Sequence, residues 1–122
     1  MLLSGWDAYA AWRCEYERIT DPARYPIGWL DAQVASGHIL AWACPTAGML
    51  VRVDTYPTGL TEAHCMAAAG DMAGIMDLRA IIEGWAKARG CAAAVVESRP
   101  GWVRALKREG YEMHQVAIRK VL

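Results

Sequence analysis

Glu62 and His64 stand one residue apart in the run Leu60 to Ala69, which follows the turn Tyr56-Pro57-Thr58-Gly59 and is of strand length. Successive strand side chains point to opposite faces, so this carboxylate and this imidazole share a face and can act on one ligand together. A solvated glutamate near a strand end beside a packed histidine meets the same spacing, since any folded domain scatters such residues. The turn Ala69-Gly70-Asp71-Met72-Ala73-Gly74 then leads into the best helix in the chain. Ligand crevices of open α/β sheets lie at the carboxyl ends of parallel strands, so this turn is where a site would be sought first. Cys14, Cys44, Cys65 and Cys91 are 30, 21 and 26 residues apart with no C-x-x-C pair. They read as small buried hydrophobes, and no metal site or disulfide is expected.

The elements that must position these residues follow from periodicity. Trp6, Tyr9, Trp12 or Arg13, Tyr16 and Ile19 form the stripe of a helix over about Asp7 to Ile19. Asp21-Pro22 stops it, and a second helical stretch runs from Ile27 to Ser36 before Gly37. His38 to Cys44 and Met49 to Thr55 are β-prone runs joined by Pro45-Thr46-Ala47-Gly48, which predicts an antiparallel hairpin. The 60–69 run is a third strand, weak by propensity because of its alanines. Ile75, Leu78, Ile82, Trp85 and Arg89 mark a helix over 74–89, closed by Gly90. Cys91 to Val96 has no polar face, as expected of a central strand covered on both sides and parallel to the one before it. Ser98 as N-cap and Pro100 in the first turn predict a further helix with Trp102, Val103 and Leu106 inward, ended by Gly110. Val116, Ile118 and His114 alternate with Gln115 and Ala117 in a final strand. The order is α-α-β-β-β-α-β-α-β, and a right-handed crossover through the 74–89 helix gives an α/β fold with a mixed, twisted sheet of five to six strands.

Composition narrows the function classes. A chain of 122 residues builds one domain, 1–122. Thirteen Lys and Arg balance thirteen Asp and Glu, so no overall field draws nucleic acid or an anionic membrane. Six positive charges stand against three negative ones from Glu97 onward, including Arg99, Arg104, Arg119 and Lys120, and read as the outer face of a helix and a polar chain end. Apolar runs fall far short of the ~20 residues of a membrane span, and no secretory signal is visible, so the expected location is cytoplasmic or in a virion. Six tryptophans without a phenylalanine are read mostly as core, with a protein interface as the other use of such rings.

Glu83-Gly84-Trp85-Ala86-Lys87-Ala88-Arg89-Gly90-Cys91, followed by Pro100-Gly101-Trp102 and Arg108-Glu109-Gly110-Tyr111, resembles the GNAT (Gcn5-related N-acetyltransferase) superfamily, and in particular the small GNAT-like proteins of tailed bacteriophages. The resemblance spans roughly residues 27–122. It implies acetyl-CoA bound between two splayed parallel strands and an acetyl group passed to an amine. Gly70, Asp71, Met72, Ala73, Gly74 and Ile75 would be the cofactor-binding residues, and Glu62 and His64 the catalytic ones that take the ammonium proton. The family's phosphate-binding hexapeptide falls on Asp71 to Met76, where Asp71 puts a carboxylate and Met76 a bulky residue in place of a basic or neutral polar and a small one. Leu106 stands where many relatives carry a tyrosine acid. The expectation is a phage-type GNAT-fold protein with a degenerate acetyl-CoA site that acts as a virion component or host-protein interactor. The alternative is an active acetyl-CoA-dependent N-acetyltransferase. Self-association is compatible with either; a membrane or nucleic-acid partner is not expected.

Overall fold

The computed structural model describes residues 1–98 and 100–122. Tyr9 and Tyr16, seven residues apart, turn the buried stripe of α1 (Gly5–Ile19) onto a sheet and stack on each other with centroids 5.9 Å apart. Trp6 and Ile19, at the two ends of the same stripe, stay about half exposed, at 48% and 45%. α2 (Ile27–Ala35) starts after Pro26, which presets its own φ for the helix entry, and buries Leu30 and Val34.

The strands β2 (Leu40–Cys44) and β3 (Ala47–Thr55) form the expected hairpin, with the two-residue turn Pro45-Thr46. β4 (Thr61–Gly70) returns antiparallel to β3, and α3 (Met72–Ala88) crosses over to β5 (Ala93–Val96), which pairs with β4 in parallel. A two-residue strand, β1 (Leu3–Ser4), adds antiparallel to β2, giving the spatial order β1-β2-β3-β4-β5. The helix α4 (Gly101–Lys107) follows β5.

The sheet divides two cores. Ala41, Ala43, Leu50 and Ala69 face α1 and α2, whereas Trp42, Met49, Val51 and Ala63 face α3 through Ile75, Leu78 and Ile82. The alanines that weaken β4 by propensity are what a central strand under two helical layers can hold. β4 also carries an irregularity. Leu50 pairs with Ala67 but Val51 with Cys65, so Met66 is an extra residue opposite β3. The pleat changes phase there: Ala63 and Cys65 pack toward α3, while Ala67 and Ala69 pack toward α1.

Three expectations are corrected. Residues 111–122 form no strand, and Val116 and Ile118 are 73% and 95% exposed. An alternating pattern supplies a face but not a partner, and the chain leaves Gly110 without running along the sheet. β5 is consequently the edge strand rather than a central one, with Ala93 exposed. Helix α4 begins two residues later than Ser98 capping would require: Pro100 is its N-cap, and Val103 lies outward at 37% exposure. Arg99 lies outside the described residues. Among the described residues no helix is long and apolar enough to cross a membrane.

Candidate functional site

The register of β3 on β4 sets Arg52 opposite His64 and Asp54 opposite Glu62, all four on the face that carries α1 and α2, since they alternate with Val51, Val53 and Ala63. Asp54 and Glu62 would repel as direct cross-strand neighbours. Arg52 and His64 lie against them. The Arg52 guanidinium donates to Asp54 Oδ1 at 2.9 Å, and this bond raises the arginine's own pKa. His64 Nε2 lies 3.1 Å from Asp54 Oδ2 and 3.7 Å from Glu62 Oε1, while Nδ1 lies 3.8 Å from Glu97 Oε1 just past the end of β5. His64 is only 7% exposed, and neither ring nitrogen is aligned for a hydrogen bond despite these short separations. The Glu62 carboxylate also reaches the exposed Tyr56 hydroxyl and raises its pKa. Three strands thus converge on one imidazole ringed by carboxylates.

The second region is the junction of β4 with α3. Gly70 has φ +102°, and a Cβ there would sit 2.1 Å from the Thr46 carbonyl oxygen. The chain can turn from strand to helix in one residue only because that side chain is absent. Asp71 then caps α3: its N–H donates to Thr46 O at 2.9 Å, and its Oδ1 accepts from Gly74 N–H at 2.7 Å. Gly74 is itself packed on the hairpin turn, for a Cβ would meet Thr46 Oγ1 at 2.4 Å. At the start of α3 the Asp71 carboxylate thus takes the Gly74 N–H, and the Thr46 carbonyl takes the Asp71 N–H.

Between the two regions lies a cavity of about 340 Å³. β4 and β5 pair only from Glu62–Ala93 to Cys65–Val96, and beyond that point Met66 to Ala68 continue with no β5 partner. The opening is walled by Met76, Trp102, Leu106 and Tyr111 on the α3 and α4 side, and Glu97 borders both it and the His64 cluster. Burial pushes the Cys65 thiol up to about 12, offset in part by its weak bond to the Ala67 carbonyl at 3.7 Å. Tyr111 donates to Glu83 Oε2 at 2.8 Å, Arg79 pairs with the same Glu83 and with Glu109, and burial raises the tyrosine's pKa.

Glu62 and His64 thus lie side by side, and Gly70 to Ile75 form one strand-to-helix junction at the far end of β4. Sequence reasoning missed Arg52, Asp54 and Glu97. Asp54 and Arg52 alternate with Val51 and Val53, which was a legible signal, but only the β3–β4 register shows that they face His64.

A mixed sheet in this order, with two parallel strands parting over a cavity and helices on both faces, is the fold of the GNAT acetyltransferases. Over 99% of its length the chain matches a GCN5-related N-acetyltransferase from Ralstonia eutropha, covering 97% of that protein at 17% identity with a TM-score of 0.76. It also matches an aminoglycoside N-acetyltransferase in complex with CoA over 100% of this chain and 93% of that one, at 11% identity and a TM-score of 0.75. A predicted acetyltransferase with acetyl-CoA from Clostridium acetobutylicum is matched over 99% and 96% of the two chains, at 9% identity and a TM-score of 0.71. No protein-family model matches the chain, and no curated protein matches its sequence.

Proposed function

We propose that this chain is a GNAT-fold interaction protein that does not hold acetyl-CoA at the α3 turn. The observation that carries this is the hydrogen bond from Gly74 N–H to the Asp71 carboxylate. A helix N-terminus binds a diphosphate through free N–H groups and a positive local field. Here a fixed negative charge takes the Gly74 donor, and Thr46 O takes the Asp71 donor. That donor set does not fit a diphosphate. With the cofactor turn closed from within, the fold serves as a scaffold for a protein partner. The resemblance to small phage-encoded proteins makes that partner a virion or host protein.

The cavity between β4 and β5 favours one other reading, acetyl-CoA-dependent acetylation of an amine, in which Glu62 and His64 receive the ammonium proton. Calorimetric titration of the full chain with acetyl-CoA separates the two. No heat of binding up to roughly millimolar ligand is the expected result, and a dissociation constant in the micromolar range would replace the interaction reading with the enzymatic one.

A further inference from the structure

Ion pairing divides the chain in two. Each arginine from Arg13 to Arg79 meets a carboxylate of its own chain: Arg13 on Asp31, Arg18 on Glu15, Arg24 on Asp21, Arg52 on Asp54 and Arg79 on Glu83. Arg89 lies over the Trp85 ring, 4.8 Å from its centroid. Arg104, Lys107 and Arg108, at the end of α4, have no ion pair and no side-chain hydrogen bond among the described residues. Glu109, the next residue, is taken by Arg79 at 3.2 Å. Leu106 and the half-buried Trp102, four residues apart, form the inner face of α4. The helical period gathers Val103, Arg104, Lys107 and Arg108 on the outward side, and all four are exposed. We infer that this face of α4 docks an acidic segment of another protein.

A cation near a helix C-terminus complements the dipole, which accounts for one such residue here but not for three. Arg104 stands three and four residues before Lys107 and Arg108, the spacings at which helix side chains meet and like charges repel. The fold carries that repulsion without a carboxylate to answer it, although it pairs its earlier arginines, and a partner bearing carboxylates relieves it. The size of the face selects the kind of partner. Seven helical residues are about 10 Å long, room for a few carboxylates of one short segment. Nucleic acid draws its affinity from many phosphates at once, roughly six to ten in a tight complex, and three cations on a chain of zero net charge do not supply them. Val103, outward beside the cations at 37% exposure, suits an apolar side chain of a protein segment and meets nothing like itself on a phosphate backbone. A local positive face on a neutral chain also steers an acidic partner to one place. The partner of the interaction reading, on which this rests, is thereby a protein with an acidic segment.

The test is an amide NMR titration of the full chain, in low salt, with a short capped peptide of glutamate, aspartate and leucine. Shifts should concentrate in residues 102–109 and saturate with a dissociation constant below roughly 1 mM. Binding should weaken at least about tenfold at high salt, and by as much in the triple variant Arg104→Gln, Lys107→Gln and Arg108→Gln. The three side chains are exposed and glutamine is a good helix former, so the far-UV circular dichroism of the variant should match wild type. The shift map and the salt dependence are read on the wild type and need no variant. No shift in residues 102–109 up to roughly 5 mM peptide overturns the inference, as does unchanged affinity in the triple variant. A single-stranded DNA of the same charge that binds these amides at least about tenfold more tightly than the peptide also overturns it, since the occupant would then be a nucleic acid. Micromolar binding of acetyl-CoA would remove the interaction reading and this site with it, whereas a silent peptide beside silent acetyl-CoA removes the site alone.

Discussion

Gly70 and Gly74 answer to the same neighbour, Thr46, yet a methyl group added to each would meet a different part of it. At Gly70 the obstacle is the Thr46 carbonyl oxygen at 2.1 Å, with Ala47 Cα at 2.6 Å, and the backbone is in a region that L side chains avoid. Neither can yield without opening the hairpin turn. At Gly74 the nearest atom is the Thr46 hydroxyl at 2.4 Å, followed by Ala47 Cβ at 2.9 Å, and a hydroxyl can rotate. Alanine is also the better helix former, by up to about 1 kcal/mol. Gly70→Ala should therefore lower the free energy of unfolding in urea by more than about 2 kcal/mol, and Gly74→Ala by clearly less. Removing the hydroxyl with Thr46→Ala should recover part of the second loss and none of the first. Equal costs for the two glycine variants would mean that the hairpin turn does not press on α3. Both positions were legible as turn glycines from their neighbours in sequence, but the reason each must be glycine is Thr46, more than twenty residues back along the chain, where no local pattern reaches.

Helices α1 and α2 share an apolar core and, at its rim, one carboxylate between them. Asp31 Oδ1 accepts from the Tyr9 hydroxyl at 2.6 Å and from Arg13 Nε at 2.8 Å, while Oδ2 accepts from the Arg13 guanidinium at 2.7 Å. The Arg13 bonds, more than any other influence, hold the Asp31 carboxyl below its ordinary range. Below pH ~4 the unfolded chain takes up a proton that the folded chain resists, so the stabilisation from this group is full at neutral pH and is lost as the pH falls through the lowered folded value. Asp31→Asn should be less stable than wild type at pH 7, and denaturant midpoints measured from pH 7 down to 3 should fall less steeply for the variant. Parallel pH dependences would show that the clasp is screened by water. The sequence foretold the helices themselves because a 3.6-residue stripe is a local property. It could not foretell Arg13 on Asp31, since at position 13 the periodicity left Trp12 and Arg13 equivalent. Two strand-level features were not legible, for related reasons. The extra residue at Met66 breaks the two-residue period on which any facing assignment in β4 rests, and the alternation around Val116 met no edge within its own molecule.

The whole molecule is two apolar cores on either side of a sheet that parts where β5 stops, and Cys65 sits at the parting whereas Cys14 is exposed. Cys65 is the last β4 residue paired to β5, and it borders the cavity with its thiol raised to about 12 by burial. Thiolate is the reactive form. At pH ~8, raising a thiol from its ordinary ~8.5 to that value leaves roughly a thousandfold less thiolate, before any steric protection by the cavity walls. Alkylation with iodoacetamide, followed by peptide mass spectrometry, should accordingly modify the exposed Cys14 far faster than Cys65 in the folded chain, and the ratio should approach unity in denaturant. Anything that seats between the strands should slow Cys65 further without touching Cys14, because Cys65 borders the cavity and Cys14 does not. Fast modification of Cys65 in the native state would mean that the gap between β4 and β5 stands open to water. The same rate then becomes a direct reading of whether a ligand fills it.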